Sequence, residues 1–98
     1  METTTIYILH SEKLNRFYVG ITTRSVTERL SEHNSKVFAK AATARGIPWT
    51  LFFKMSCSSR LQAYRIEQHI KSMKSSRYYR NLKSYPEMAE KLKERFAD

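Results

Sequence analysis

Apolar positions along the chain recur with two different periods, and the changes of period mark its elements. Thr4 to Leu9 and Arg16 to Ile21 are rich in β-branched and aromatic side chains, so both are expected as strands. The polar link His10-Ser11-Glu12-Lys13-Leu14-Asn15 is short enough for a hairpin. Ser25-Val26-Thr27-Glu28 has the form of a capping box. The helix it opens is expected to reach about Asn34, with Val26, Leu30 and His33 on one face. Residues 35–48 are basic and alanine-rich and predict no more than a helical turn or two. Trp49 to Met55 predicts a third strand, with Trp49, Leu51, Phe53 and Met55 on one face. Phe52 on the other face predicts that both sides are partly covered. Ser59-Arg60-Leu61-Gln62 repeats the capping pattern. The helix after it is expected to run to about Met73, with Ala63, Ile66, Ile70 and Met73 as its buried stripe. Pro86 suits the start of a closing helix carrying Met88, Leu92 and Phe96. The order β-β-α-β-α-α predicts an α+β fold, a small three-stranded β-sheet flanked by helices.

A hairpin symmetric about Glu12 and Lys13 sets Leu9 opposite Arg16, Ile8 opposite Phe17 and Tyr7 opposite Tyr18. Directly opposed residues share a face, so two phenols are expected side by side, with Ile6, Ile8, Phe17 and Val19 behind them. A slip of one residue would undo this arrangement.

Composition narrows the class. The 98 residues are enough for one domain, expected to span 1–98. Hydrophobic content of 41% and charged content of 28% are ordinary for a folded domain, so the polar average does not imply disorder. Cys57 is the only cysteine, which excludes an internal disulfide and fits a reducing compartment. No apolar run approaches a membrane span, and Met1-Glu2-Thr3-Thr4-Thr5 has no signal-peptide character. No membrane association and a cytoplasmic location are therefore expected.

Charge changes the picture more. Lys and Arg number 18 against 9 acidic residues, a net +9, which points to a polyanionic partner because phosphate contacts release condensed counterions. Between His33 and Pro86 the only acidic residue is Glu67. A lone carboxylate in a positive field suits a divalent cation beside a phosphate, since magnesium takes only one or two carboxylates and completes its shell with water and substrate oxygens. Glu67 falls on the side of its helix shared by Ala63 and Ile70. The competing reading is an i,i+4 ion pair with Lys71. Arg29, one turn before His33, suits a guanidinium gripping a phosphate oxygen, or a solvated side chain paired with Ser25 or Glu32. His33 suits a base or a partly buried helix residue. Tyr7 and Tyr18 are poor bases unless a cation or a bound water assists, because a phenol ionises near ~10. His10, His33 and His69 have no zinc-like spacing, and two glycines cannot make a glycine-rich phosphate loop.

The whole set resembles the GIY-YIG nuclease family. Ile6-Tyr7, and Tyr18-Val19-Gly20 eleven residues on from Tyr7, resemble its two name-giving motifs. Arg29-Leu30-Ser31-Glu32-His33-Asn34 resembles its arginine-bearing helix, and Glu67 with Ile70-Lys71 its glutamate-bearing helix. Lys74-Ser75-Ser76-Arg77-Tyr78-Tyr79 is similar to the basic stretch of small stand-alone bacterial members, and the resemblance extends to the N-terminal catalytic domain found in excinuclease. Thr5 stands where the first motif has glycine, and Val19 where the second has isoleucine.

The resemblance implies a metal-dependent DNA endonuclease, with a role in repair or on branched or damaged DNA. Tyr7 or Tyr18 would activate or position water, Arg29 would stabilise the phosphate, and His33 would take a supporting role. Glu67 would hold one Mg2+ or Mn2+ ion. Lys36, Lys40, Arg45, Lys71, Lys74 and Arg77 are the expected nucleic-acid contacts, and Asn81 is a candidate for the family's late asparagine. Sequence specificity would be low or supplied by a protein partner. The alternative is a basic nucleic-acid-binding module that keeps the fold without cutting.

Overall fold

A computed structural model describes residues 3–35 and 41–97. Lys36 and Lys40, two of the expected nucleic-acid contacts, lie outside the described residues. The elements in order are β1 (Thr4–Ser11), β2 (Arg16–Thr22), α1 (Val26–Asn34), α2 (Ala41–Ala44), β3 (Trp49–Cys57), α3 (Arg60–Met73), α4 (Ser76–Ser84) and α5 (Pro86–Arg95). They form the expected α+β fold around an antiparallel sheet of order β2-β1-β3. The single turn α2 falls within the stretch expected to hold a helical turn or two, and the nine-residue α4 is additional to the expectation.

The central strand β1 is covered on both faces. Ile6, Ile8, Val19 and Met55 pack with Ala63, Ile66 and Ile70 of α3, Leu82 of α4, and Ala89 and Leu92 of α5. On the opposite face Tyr7, Leu9 and Trp49 pack with Tyr18 and with Val26 and Leu30 of α1. These apolar contacts hold the fold, since truncating one fully buried Ile or Leu costs about 2–5 kcal/mol. The exposed ion pair Arg24–Glu28 contributes at most about 1 kcal/mol by comparison. No helix among the described residues is long and apolar enough to cross a membrane.

The hairpin register differs from the expectation by two residues. Tyr7 sits opposite Gly20, Ile8 opposite Val19, and Leu9 opposite Tyr18. The cause is the turn. Asn15 adopts a left-handed conformation at φ 50°, which asparagine tolerates well, and the Leu14 N–H bonds Ser11 Oγ at 3.2 Å. The turn therefore centres between Lys13 and Leu14, one position later than expected. An even shift preserves faces. Tyr7 and Tyr18 still share a face, now as diagonal neighbours with ring centroids 6.5 Å apart.

The third strand departs further from the expectation. Ile8 pairs with Phe53 but Leu9 pairs with Leu51, so Phe52 is the extra residue of a β-bulge. The bulge splits the expected single face. Phe53 and Met55 join the Ile6 side, while Trp49 turns to the Tyr7 side. Met73, expected in the buried stripe of α3, is 43% exposed. Ala63, Ile66, Glu67 and Ile70 form that stripe, with Gln62 at its head.

Local polar contacts fix where the helices begin and end. The Ser25 hydroxyl accepts the N–H groups of Thr27 and Glu28 and starts α1. At the other end the Asn34 amide donates to the Trp49 carbonyl at 2.9 Å and accepts the Trp49 N–H. The Trp49 indole donates to the Thr43 carbonyl at 2.7 Å. Ser59 accepts the Gln62 N–H, but Gln62 reaches back to the N–H of Ser58, one residue earlier than a full capping box requires. The Gln62 amide also donates to the Lys93 carbonyl, tying α3 to α5.

Gly20 is set by a close approach. A Cβ there would lie 2.5 Å from the Tyr7 hydroxyl oxygen and 2.6 Å from its ring carbon Cζ. The Tyr7 ring thus lies across the strand where any other residue would project. Gly20→Ala is expected to cost about 1–3 kcal/mol in urea unfolding, because overpacking forces the ring or the strand to move. An unchanged unfolding midpoint would show that the ring does not need this space.

Candidate active site

Four of the five expected catalytic side chains meet on the α1 face of the sheet. β1 supplies Tyr7, which is almost wholly buried, and β2 supplies Tyr18. α1 supplies Arg29 and His33, four residues apart and therefore on one helix face. The Tyr7 hydroxyl is hydrogen-bonded to His33 Nε2 at 3.2 Å. The His33 ring lies 4.8 Å from Tyr18 and 6.0 Å from Tyr7, centroid to centroid. His33 is itself buried, so the helix histidine is packed between two phenols rather than solvated.

The electrostatics of Tyr7 describe the rest of the site. Burial raises its pKa above the ordinary phenol value. A hydrogen bond and the charge of Arg29 oppose that rise, while Tyr18 and Glu67 add to it. Arg29, Tyr18 and Glu67 are therefore all near enough to act on one hydroxyl. Burial works against the charge of Arg29, but Tyr7 and Glu32 more than offset it, and its pKa is raised. Arg29 Nη1 lies 3.2 Å from Glu32 Oε1, and Arg24 bonds the same oxygen. The expected alternative partner Glu32 is thus real, and the contact with Tyr7 exists beside it.

Glu67 is buried on α3, which packs against β1 and β2. Its Oε1 accepts from Gln68 at 3.3 Å and pairs with Lys71 Nζ at 3.5 Å. The i,i+4 ion pair considered from sequence is present. Lys71 is half-exposed, so the pair contributes no more than a few tenths of a kcal/mol. No group of three or more His, Cys, Asp or Glu side chains gathers among the described residues. A single buried carboxylate still fits magnesium or manganese, which need few protein ligands and keep most of their water.

The basic residues divide. Lys71, Lys74 and Arg77 are exposed where α3 ends and α4 begins, and Arg45 is exposed just after α2. Of these, Lys71 reaches the site, through Glu67. Asn81 lies half-buried on α4, a helix that packs on β3 and α5. Sequence reasoning missed the role of Asn34, which pins the end of α1 to β3 beside His33. It also missed Lys54, the cross-strand partner of Tyr7 on β3, whose position depends on strand order and the bulge.

A raised phenol pKa is also a statement about stability. Tyr7, Tyr78 and Tyr79 are all shifted up by burial. The stability this confers is fully present below about pH 10, where both folded and unfolded phenols are protonated, and is lost as pH rises through the folded values. Unfolding measured between pH 9 and 12 (roughly, spanning the free phenol value) should show falling stability that is shallower in Tyr7→Phe. An equal slope in the variant would place Tyr7 in an unperturbed environment.

The model of the GIY-YIG catalytic domain matches residues 3–81, from the strand that carries Tyr7 to the middle of α4. No curated protein and no solved structure matches the chain. On that match, which takes in every site residue described above, the chain belongs to the GIY-YIG family and has a nuclease-type catalytic domain.

Proposed function

We propose that the domain is an endonuclease that hydrolyses DNA phosphodiester bonds with one divalent ion held at Glu67. The observation that carries this reading is the gathering of Tyr7, Tyr18, His33 and Arg29 around one buried hydroxyl on which Glu67 also acts. A chain that only bound DNA would have no use for a buried phenol bonded to a buried imidazole beside a guanidinium.

The residues divide the work. Arg29 grips a non-bridging phosphate oxygen through the nitrogens that Glu32 leaves over, and stabilises charge that develops there. Tyr7 is a neutral phenol at neutral pH, since even an unshifted value near ~10 leaves about one molecule in a thousand ionised at pH 7. Tyr7 therefore acts through its hydrogen bond. Its oxygen takes a proton from the attacking water while its own proton passes to His33 Nε2, 3.2 Å away. The water oxygen bonds phosphorus, the bond from phosphorus to the leaving oxygen breaks, and a solvent proton completes the leaving hydroxyl while His33 gives its extra proton back to solvent. Tyr18 packs on the His33 ring and holds its orientation. A magnesium or manganese ion held at Glu67 would supply neutralising charge to the phosphate and support for the leaving oxygen. Lys71 must release Glu67 for this, at the small cost of a half-exposed pair.

That same ion pair favours a second reading, in which Lys71 neutralises Glu67 permanently and the domain is a basic DNA-binding module. DNA repair, through damaged or branched substrates, is the setting that best suits a nuclease domain with a protein partner to direct it.

A cleavage panel of duplex, single-stranded, nicked and branched DNA with Mg2+ or Mn2+ tests both readings. Nicking of at least one form is expected. Glu67→Gln and Arg29→Lys should each lower kcat by roughly 10²–10³, the usual cost of losing one electrostatic stabiliser. Tyr7→Phe should lower it by about 10²–10⁴, the range for acid–base catalysis, with folding retained. Tight binding without cleavage of any form would support the binding module, and full activity in Glu67→Gln would remove the metal role.

A further inference from the structure

Two clefts open beside the site and meet at the β2–α1 connection. The first, of about 420 Å³, is lined by Thr4, Ile21, Thr22 and Thr23 and by three guanidinium groups, Arg24, Arg29 and Arg60. The second, of about 440 Å³, includes Thr5, Thr23, Arg24, Thr27, Lys54 and Ser56. Thr23 and Arg24 belong to both, so the clefts adjoin along one surface. Among the described residues no carboxylate lines either one.

Strand register and helical period place this trough relative to the chemistry. Lys54 pairs with Tyr7 and Ser56 with Thr5, so on the antiparallel ladder both project on the Tyr7 face. Arg60 and Glu67 are seven residues apart on α3, nearly two full turns, and so share a side of that helix about 10 Å apart. At roughly 3.4 Å of rise per nucleotide, that spacing is about three nucleotides of a DNA strand. Arg29 lines the first cleft and also contacts Tyr7, so the trough begins at the site.

The geometry points to this trough as the track for the phosphodiester backbone of the strand being cut, with Arg60 and Lys54 gripping phosphates beyond the scissile one. The assignment rests on the nuclease reading above. Lys54 lines one cleft and Arg60 the other, with Arg24, which bonds Glu28 and Glu32, between them. Their phosphate contacts are sequence-independent, which suits a domain reading DNA by its backbone. The hydroxyls of Thr5, Thr23, Thr27 and Ser56 supply neutral donors along the same path. This surface is separate from Lys74 and Arg77 at the far end of α3, the cations expected from sequence.

DNA binding by Glu67→Gln protein without metal, read by fluorescence anisotropy on a labelled duplex across a salt series, tests the track without relying on cleavage. The slope of log K against log salt should fall by about 0.9 for Lys54→Ala, by the same for Arg60→Ala, and by about 1.8 for the pair. Lys91→Ala, on an exposed position of α5, should leave the slope unchanged. Circular dichroism of each variant reports folding. An unchanged slope in the folded double variant overturns the track, as does a loss confined to Lys74→Ala and Arg77→Ala. Wild-type protein that fails to cut while the slopes fall as stated would remove the nuclease reading and leave the binding surface standing.

Discussion

The close approach of the Tyr7 ring to Gly20 is the constraint on which the site depends. Steric overlap decides the matter, because a Cβ at 2.5 Å from a hydroxyl oxygen cannot be accommodated without movement. Glycine weakens a strand by roughly 0.5–1 kcal/mol relative to alanine, yet only glycine lets the phenol lie flat over β2 and reach α1. The hydroxyl then meets His33 and Arg29 on successive turns of one helix. That helix is itself fixed at both ends, by the Ser25 cap and by the Asn34 amide clamped to both backbone groups of Trp49. Site geometry thus follows from one missing side chain and two polar clamps.

Charge is distributed so that the site is poised rather than locked. Arg29 is balanced by Glu32, and Glu67 by Lys71, each pair partly exposed on at least one side. Pairs of that kind contribute little to stability and exchange partners readily. In the proposed reading a phosphate takes over from Glu32 and a divalent cation from Lys71, without disturbing the apolar core behind them. Stability comes from that core, where Ile6, Ile8, Ile66 and Ile70 are wholly buried.

Much of this was legible in the sequence, and the failures have physical causes. The capping serines 25 and 59 fixed the starts of α1 and α3, since a side-chain oxygen that accepts a helix N–H is a local signal. The shared face of Tyr7 and Tyr18 survived a two-residue error in register because strand faces alternate with period two. The error came from Asn15, whose left-handed conformation moved the turn. The Phe52 bulge could not be read from alternation alone, because it becomes visible only when β3 is laid against β1. α4 was missed because Ser75 caps it without a Glu or Gln three residues on, where Tyr78 stands instead. Lys54 and Asn34 owe their importance to partners distant in sequence, Tyr7 and Trp49.

If the site works as described, Tyr7, Arg29 and Glu67 surround one cation-binding position. Paramagnetic broadening of assigned NMR resonances during Mn2+ addition reads that position most directly. Broadening is expected to begin at Glu67, Tyr7 and Arg29 and to disappear in Glu67→Gln. Broadening centred elsewhere, or unchanged in that variant, would contradict a metal site at Glu67.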